Sequence, residues 1–208
     1  MIRLMTSVVR THEQQTAVRY ASLAEGRRLL WALIATAFMS TLMYSSLAPF
    51  FSELEDDLHT STPALGQVVT LRLLLSAGLA LVAGPVADRY GYRRLITLGM
   101  AALAVSFLTV SIAQSYLMLL VTSIPGGIAG GTLSGLPLAL AANAFAGEAR
   151  LKAISYTVAA FSSSTIVGIP ILTTASAAIG WRGVFLVCGI IALVCSLFVF
   201  RVLPDDSR

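Results

Sequence analysis

Four charged side chains lie within seven residues of an otherwise apolar region, in the segment GPVADRYGYRR that begins at Gly84. They are Asp88, Arg89, Arg93 and Arg94. Gly84 and Pro85 let the preceding apolar segment approach a neighbour and interrupt its regular hydrogen bonding, and Gly91 permits a tight turn. A carboxylate at position 88 can pair with an arginine or face the N-terminus of a helix. The alternative is a solvated loop that only fixes topology, and spacing favours neither.

Arg72 is the second candidate, because it lies inside the apolar run VVTLRLLLSAGLAL. One arginine in a membrane span costs about 2.5–3.5 kcal/mol on insertion scales. At helical spacing Arg72 shares a face with Val69, Ser76 and Ala83. Two interpretations stay open: the guanidinium faces a substrate cavity, which favours an anionic or hydrogen-bonding substrate, or it extends toward the outer interface in a structural role.

Hydroxyl groups recur at helical spacing in three other apolar runs. With Arg72 and Ser76 we predict a substrate cavity lined by Thr36, Ser40, Tyr44, Ser123 and Ser162. The alternative for each hydroxyl is ordinary packing, since small and hydroxyl side chains hold membrane helices together. The glycines between positions 126 and 135 fit close packing better than phosphate binding, because the lysine of a phosphate loop is absent.

Several kinds of chemistry have no support in the sequence. All ten acidic residues can be placed outside the apolar runs, and both histidines fall in polar segments. A proton relay or an intramembrane protease needs a carboxylate or histidine at membrane depth, and ATP-driven transport needs a nucleotide motif. Cys188 and Cys195 are expected to be small core residues. We therefore predict a protein that is not an enzyme, with no cofactor and no metal site.

The elements that must position these residues follow from composition. The 208 residues are 57% hydrophobic and 12% charged, with a mean hydropathy of +0.84. Soluble domains average about a quarter charged residues, so this composition indicates a membrane protein. The net charge of +4 does not indicate nucleic-acid binding, because the basic residues lie at the ends of apolar runs.

Six apolar runs are each long enough to cross the bilayer as a helix. They cover about 29–51, 63–86, 95–113, 116–142, 151–178 and 183–203. Residues 1–28 are predicted to be a cytoplasmic tail and 204–208 a cytoplasmic C-terminal end. With the N-terminus inside, twelve of the fourteen Lys and Arg residues lie on the cytoplasmic side, so both termini are expected there.

The six runs divide into two sets of three, residues 29–113 and 116–203. The second set enters the membrane from the opposite side, which is the geometry of an inverted-topology repeat. The predicted fold is an all-α membrane protein with six transmembrane helices in two inverted three-helix repeats.

The segment GPVADRYGYRR resembles the signature loop of the major facilitator superfamily, G-x-x-x-D-R-x-G-R-R, which joins helices two and three. The matching residues are Gly84, Asp88, Arg89, Gly91, Arg93 and Arg94, and Tyr92 departs from the pattern. The segment SGLPLALAANAFAGEARLKAISY resembles the connection between helices four and five. IVGIPILTTASAAIGWRGVF resembles helices five and six of the drug and sugar efflux branch. Its matching residues are Gly168, Pro170, Gly180, Trp181, Arg182 and Phe185.

The resemblance implies a multi-pass protein of the cell membrane that exports a small drug-like or sugar-like solute by alternating access. In that family the loop aspartate, here Asp88, latches the cytoplasmic side against a helix N-terminus of the other six-helix half. The family has twelve helices, so a second six-helix unit is expected as a partner, either another copy or a separate chain. The alternative is a truncated remnant that inserts into the bilayer and transports nothing.

Overall fold

The computed structural model describes residues 23–203, and all regular structure in that range is helical. The predicted C-terminal end, residues 204–208, and most of the predicted tail, residues 1–22, lie outside the described residues.

The helices follow one another with short connections. They are α1 (Leu23–Ser45), a 3-10 turn (Ala48–Phe50), α2 (Phe51–Leu58), α3 (Thr62–Tyr90), α4 (Tyr92–Ser111), α5 (Tyr116–Val121), α6 (Ser123–Leu133), α7 (Leu136–Ala144), α8 (Gly147–Ser163), a π-helical turn (Ser164–Gly168) and α9 (Ile169–Val202).

Within the described residues, five helical segments are long and apolar enough to cross a membrane. The five are Glu25–Leu58, Thr62–Tyr90, Tyr92–Ser111, Tyr116–Ala144 and Gly147–Val202. The last contains 56 residues, and at about 1.5 Å per residue a straight helix of that length is far longer than a bilayer is thick. The chain is thus a multi-pass membrane protein.

This long segment is broken at Gly180, whose backbone has φ 69° and ψ 165° inside α9. Residues before the break pack along α1. Ser164 donates a hydrogen bond to the Phe38 carbonyl at 2.8 Å, and Gly168 lies against Leu42. Both partners advance by four residues, so this part of the chain runs parallel to α1.

Residues after Gly180 pack along α4 in the opposite sense. Arg182 donates to the Ala113 carbonyl at 3.2 Å, beyond the end of α4, whereas Arg93 at its start donates to the Phe200 carbonyl at 3.1 Å. A left-handed backbone conformation is easily adopted only by glycine, and here it lets the chain change direction.

The predicted fourth run is interrupted twice. Ser115 caps its first helix by accepting a hydrogen bond from the Met118 amide, and α5 ends at Val121. A second interruption separates α6 from α7, where Pro137 lies in the first turn of the new helix. Proline lacks an amide hydrogen, so it is tolerated there and ends the preceding hydrogen-bond ladder.

Four aromatic side chains form a cluster within the core. The Phe185 ring contacts the rings of Phe50, Phe107 and Trp181 at centroid distances of 5.7, 6.0 and 6.3 Å. These rings join the 3-10 turn, α4 and α9, and they hold the chain in place just after the break at Gly180.

Candidate functional site

Arg72 lies on α3 and its side chain is buried, with 3% of the residue exposed. Its Nη1 atom donates to the main-chain carbonyl of Met43 on α1 at 3.4 Å. Nε and Nη2 have no hydrogen-bond partner among the described residues. The guanidinium therefore lies inside the bundle instead of extending to the outer interface.

Tyr44 and Ser76 form a hydroxyl–hydroxyl hydrogen bond between α1 and α3, at the residue after Met43 on α1 and one turn after Arg72 on α3. Two glycines of α6 make room for the group. A Cβ at Gly130 would collide with the Tyr44 hydroxyl, and a Cβ at Gly126 would lie 2.7 Å from Nε of Arg72. Close approach of α6 thus depends on the missing side chains, as in small-residue packing of membrane helices. We call these five residues the Arg72 cluster.

The other predicted cavity residues fall into two groups. Ser123 is fully buried and donates to the Val68 carbonyl at 3.1 Å, one turn before Arg72, so it joins α6 to the same part of α3. Thr36 and Ser40 are buried on α1, but each donates to a carbonyl of its own helix. The Ser162 side chain is exposed on α8 and also bonds within its helix.

The charged loop between α3 and α4 is stabilised by local contacts. Gly91 has φ 93° and its amide donates to the Ala87 carbonyl at 2.8 Å, which closes α3. The Tyr92 hydroxyl donates to Oδ1 of exposed Asp88 at 2.9 Å, and Asn143 of α7 donates to that hydroxyl at 3.4 Å. Among the described residues no arginine forms an ion pair with Asp88.

The arginines of the loop have different surroundings. Arg89 lies over the ring of Tyr90 at 5.5 Å, whereas Arg93 lies over the Phe200 ring at 4.6 Å as well as bonding its carbonyl. Arg94 is exposed. The start of the motif differs from the prediction: an added Cβ at Gly84 meets no heavy atom within 4 Å among the described residues, so no neighbour packs closely there, and α3 continues through Pro85 to Tyr90.

A second polar cluster consists of Asp57, Trp181 and Arg182. It lies near the end of α4 that is opposite to the α3–α4 loop. Trp181 is buried and its indole Nε1 donates to Oδ2 of Asp57 at 2.9 Å. Arg182 forms an ion pair with the same carboxylate at 3.4 Å and donates to the Ala113 carbonyl. Sequence reasoning identified Trp181 and Arg182 but missed Asp57. The available signal was charge: Arg182 is basic, and Asp57 is one of four acidic residues between positions 53 and 57.

The remaining motif residues lie where α8 continues into α9. Gly168 is buried, and a Cβ there would lie 2.5 Å from Cδ1 of Leu42, whereas Pro170 is exposed. The Arg72 cluster, the cluster around Asp57 and the α3–α4 loop therefore share no residue. Within the described residues no group of His, Cys, Asp or Glu side chains is arranged to hold a metal ion.

A multi-pass helical bundle with a charged α3–α4 turn and a buried guanidinium has the features of a membrane transporter. Comparison with known proteins agrees: residues 33–208 match the family model of the Major Facilitator Superfamily. The chain belongs to this superfamily, as the loop between Gly84 and Arg94 indicated.

Two relatives illustrate the range of similarity. A protein of Haemophilus influenzae described as a metabolite transport protein is 34% identical over 137 residues, which is 65% of this chain and 33% of that protein. Quinolone resistance protein NorB of Staphylococcus aureus is 24% identical over 181 residues, 86% of this chain and 39% of that protein. The chain thus spans between a third and two fifths of the length of these relatives.

Proposed function

We propose that this chain is one half of a solute transporter that exports drug-like or sugar-like compounds by alternating access. The observation that carries the proposal is the family match over residues 33–208. The names of the two relatives, one for metabolite transport and one for quinolone resistance, support a small organic solute. The proposed activity is transport of an unchanged compound and involves no enzymatic step.

We further propose six membrane crossings in two inverted three-helix repeats. The break at Gly180 supports the sixth crossing, because residues before it run parallel to α1 and residues after it run antiparallel to α4. The excess of basic residues on one side supports cytoplasmic termini in the cell membrane. Alternating access then needs a second six-helix unit, from another copy or a separate chain, against which this bundle moves.

The Arg72 cluster is the proposed substrate site. A transport path requires polar groups at membrane depth, and this cluster combines a buried guanidinium with two hydroxyls between three helices. Ser123 extends the polar surface by one turn of α6. Thr36, Ser40 and Ser162 have a weaker claim, because their hydroxyls bond to carbonyls of their own helices.

Asp88 is the proposed conformational latch. Its carboxylate is exposed at the end of α3 and has only a hydroxyl as its hydrogen-bond partner among the described residues, so it is available to a group of the second unit. A charged hydrogen bond contributes about 1.5–3 kcal/mol, enough to favour one conformation by tenfold or more. Making and breaking that contact would accompany each transport cycle.

The test is export from cells that lack their own efflux pumps, with norfloxacin and salicylate as probes. Norfloxacin is chosen because it is a quinolone and one relative is named a quinolone resistance protein. We expect Asp88→Asn to reach the membrane normally and to export both compounds about tenfold more slowly, because a neutral amide weakens the latch. The matched control is Asp56→Asn, the same change at an exposed position on α2. Export by Asp88→Asn at the rate of the control contradicts the latch, and no export of either probe by the unmodified protein contradicts the proposed function.

A further inference from the structure

We propose that the free edge of the Arg72 guanidinium binds the carboxylate of the transported compound, so that the substrate class is small organic monoanions. The inference rests on the proposed function and makes its substrate site more specific.

The geometry of the guanidinium carries the first step. Its five N–H donors lie in one plane, and Nε together with Nη2 forms the side of the fork that matches the two oxygens of a carboxylate. Arg72 uses Nη1 for the Met43 carbonyl, on the other side of the group. Both donors of the matching edge, Nε and Nη2, are buried and have no acceptor among the described residues.

The second argument for a bound anion is the uncompensated charge of the Arg72 guanidinium. None of the described acidic residues forms an ion pair with Arg72. They all lie in helix ends or in the short helix α2: Glu25, Glu53, Glu55, Asp56, Asp57, Asp88 and Glu148. A buried guanidinium stays charged, and a buried charge without a counter-ion is unfavourable by several kcal/mol. A bound anion offsets that cost, and one cation balances a singly charged carboxylate better than a doubly charged phosphate.

The neighbours of the group carry the third step. The backbone of α6 at Gly126 closes over Nε, because even a Cβ there would lie 2.7 Å away. The free edge is therefore sealed between α3 and α6 in this conformation and becomes accessible only when these helices separate. The hydroxyl pair of Tyr44 and Ser76 follows one turn further along α3 and supplies further hydrogen-bonding groups for the bound compound.

The inference is tested by binding to the full-length protein in lipid nanodiscs. The probes are benzoate and salicylate, each compared with its carboxamide, a neutral compound of nearly the same shape. We expect the unmodified protein to bind at least one carboxylate about tenfold more tightly than its carboxamide, since each charged hydrogen bond to the edge contributes at least that factor.

Three variants distinguish the contribution of the two donors Nε and Nη2 from that of the positive charge. Arg72→Gln removes both and is expected to abolish the preference for carboxylates, whereas Arg72→Lys keeps the charge and is expected to retain only part of it. Gly126→Ala keeps the guanidinium and fills the space beside Nε, so it is expected to weaken carboxylate binding even if Arg72→Gln folds poorly. The matched control, Arg150→Gln at an exposed position, should behave as the unmodified protein.

The inference is overturned if carboxylates and carboxamides bind the unmodified protein equally, if no carboxylate in the set binds, or if Arg72→Gln retains the preference. Export measurements keep this failure distinct from failure of the proposed function. A protein that exports norfloxacin but shows no carboxylate preference is a transporter without this specificity, whereas a protein that exports neither norfloxacin nor salicylate is not the proposed transporter.

Discussion

Replacement of Gly130 by alanine should disrupt the Arg72 cluster. The added Cβ would collide with the Tyr44 hydroxyl and lie 2.7 Å from Oγ of Ser76. The hydrogen bond between these two hydroxyls must break, or α6 must move away from α1 and α3. Gly78 of α3 provides the matched control, because an alanine Cβ there meets no heavy atom within 4 Å.

The expected effect follows from three contributions. Overpacking costs about 1–3 kcal/mol and a lost hydrogen bond about 1 kcal/mol, whereas alanine improves helix propensity by about 1 kcal/mol over glycine. Gly130→Ala should therefore lower the free energy of unfolding by about 2 kcal/mol. At about 2–4 °C per kcal/mol for a chain of this size, the melting temperature falls by about 4–8 °C. Gly78→Ala gains the propensity without the collision, so it should melt at or slightly above the unmodified protein.

The chain carries its own reporters of unfolding. Cys188 is buried and Cys195 is half-buried, and both are free thiols, so a thiol-reactive fluorophore labels them as the bundle opens. Melting in nanodiscs can thus be followed without introducing a cysteine. The close approach of Tyr44 to Gly130 is refuted if Gly130→Ala melts at the temperature of Gly78→Ala. Tyr44→Phe in the Gly130→Ala background should recover part of the loss, because it removes the colliding oxygen.

Two further substitutions test contacts elsewhere in the bundle. Asp57→Asn removes the ion pair to Arg182 and weakens the hydrogen bond from Trp181. Because the ion-pair side chains are 46% and 45% exposed, we expect the free energy of unfolding to fall by only about 1 kcal/mol. The melting temperature in the thiol-labelling assay should fall by a few degrees. An unchanged melting temperature would show that this contact does not hold α2 to α9. Gly168→Ala places a Cβ 2.5 Å from Cδ1 of Leu42. Overpacking costs about 1–3 kcal/mol and the better helix propensity of alanine returns about 1 kcal/mol, so we expect a loss of about 1 kcal/mol in the same assay. A melting temperature above that of the unmodified protein would contradict the close packing of this turn on α1.

The membrane-spanning elements could be predicted because long apolar runs have few alternatives in a bilayer. The predicted second run, 63–86, lies within Thr62–Tyr90, and the third, 95–113, closely follows Tyr92–Ser111. The interruptions inside the fourth run could not be predicted. Hydropathy is unchanged across them, and they depend on proline positions whose effect varies with the packing of neighbouring helices.

The candidate site could be predicted only within single helices. The spacing placed Arg72 and Ser76 on one face of α3, and both are buried. The pairing of Ser76 with Tyr44 depends on how α1 is positioned against α3, and no intrahelical period contains that information. The same limit applies to Asp57, which meets Trp181 across more than a hundred residues of sequence.

Folding alone does not account for an arginine at position 72. Placing a charged side chain in a membrane helix costs about 2.5–3.5 kcal/mol, and one hydrogen bond to the Met43 carbonyl at 3.4 Å returns only about 1 kcal/mol. Replacement of buried charges by apolar side chains of similar volume is often neutral or stabilising, so stability would favour leucine or methionine there. The glycines of α6 increase the imbalance, because they bring the backbone against donors that it does not satisfy. The proposed carboxylate ligand supplies the missing negative charge and accounts for both the buried arginine and its donors without acceptors.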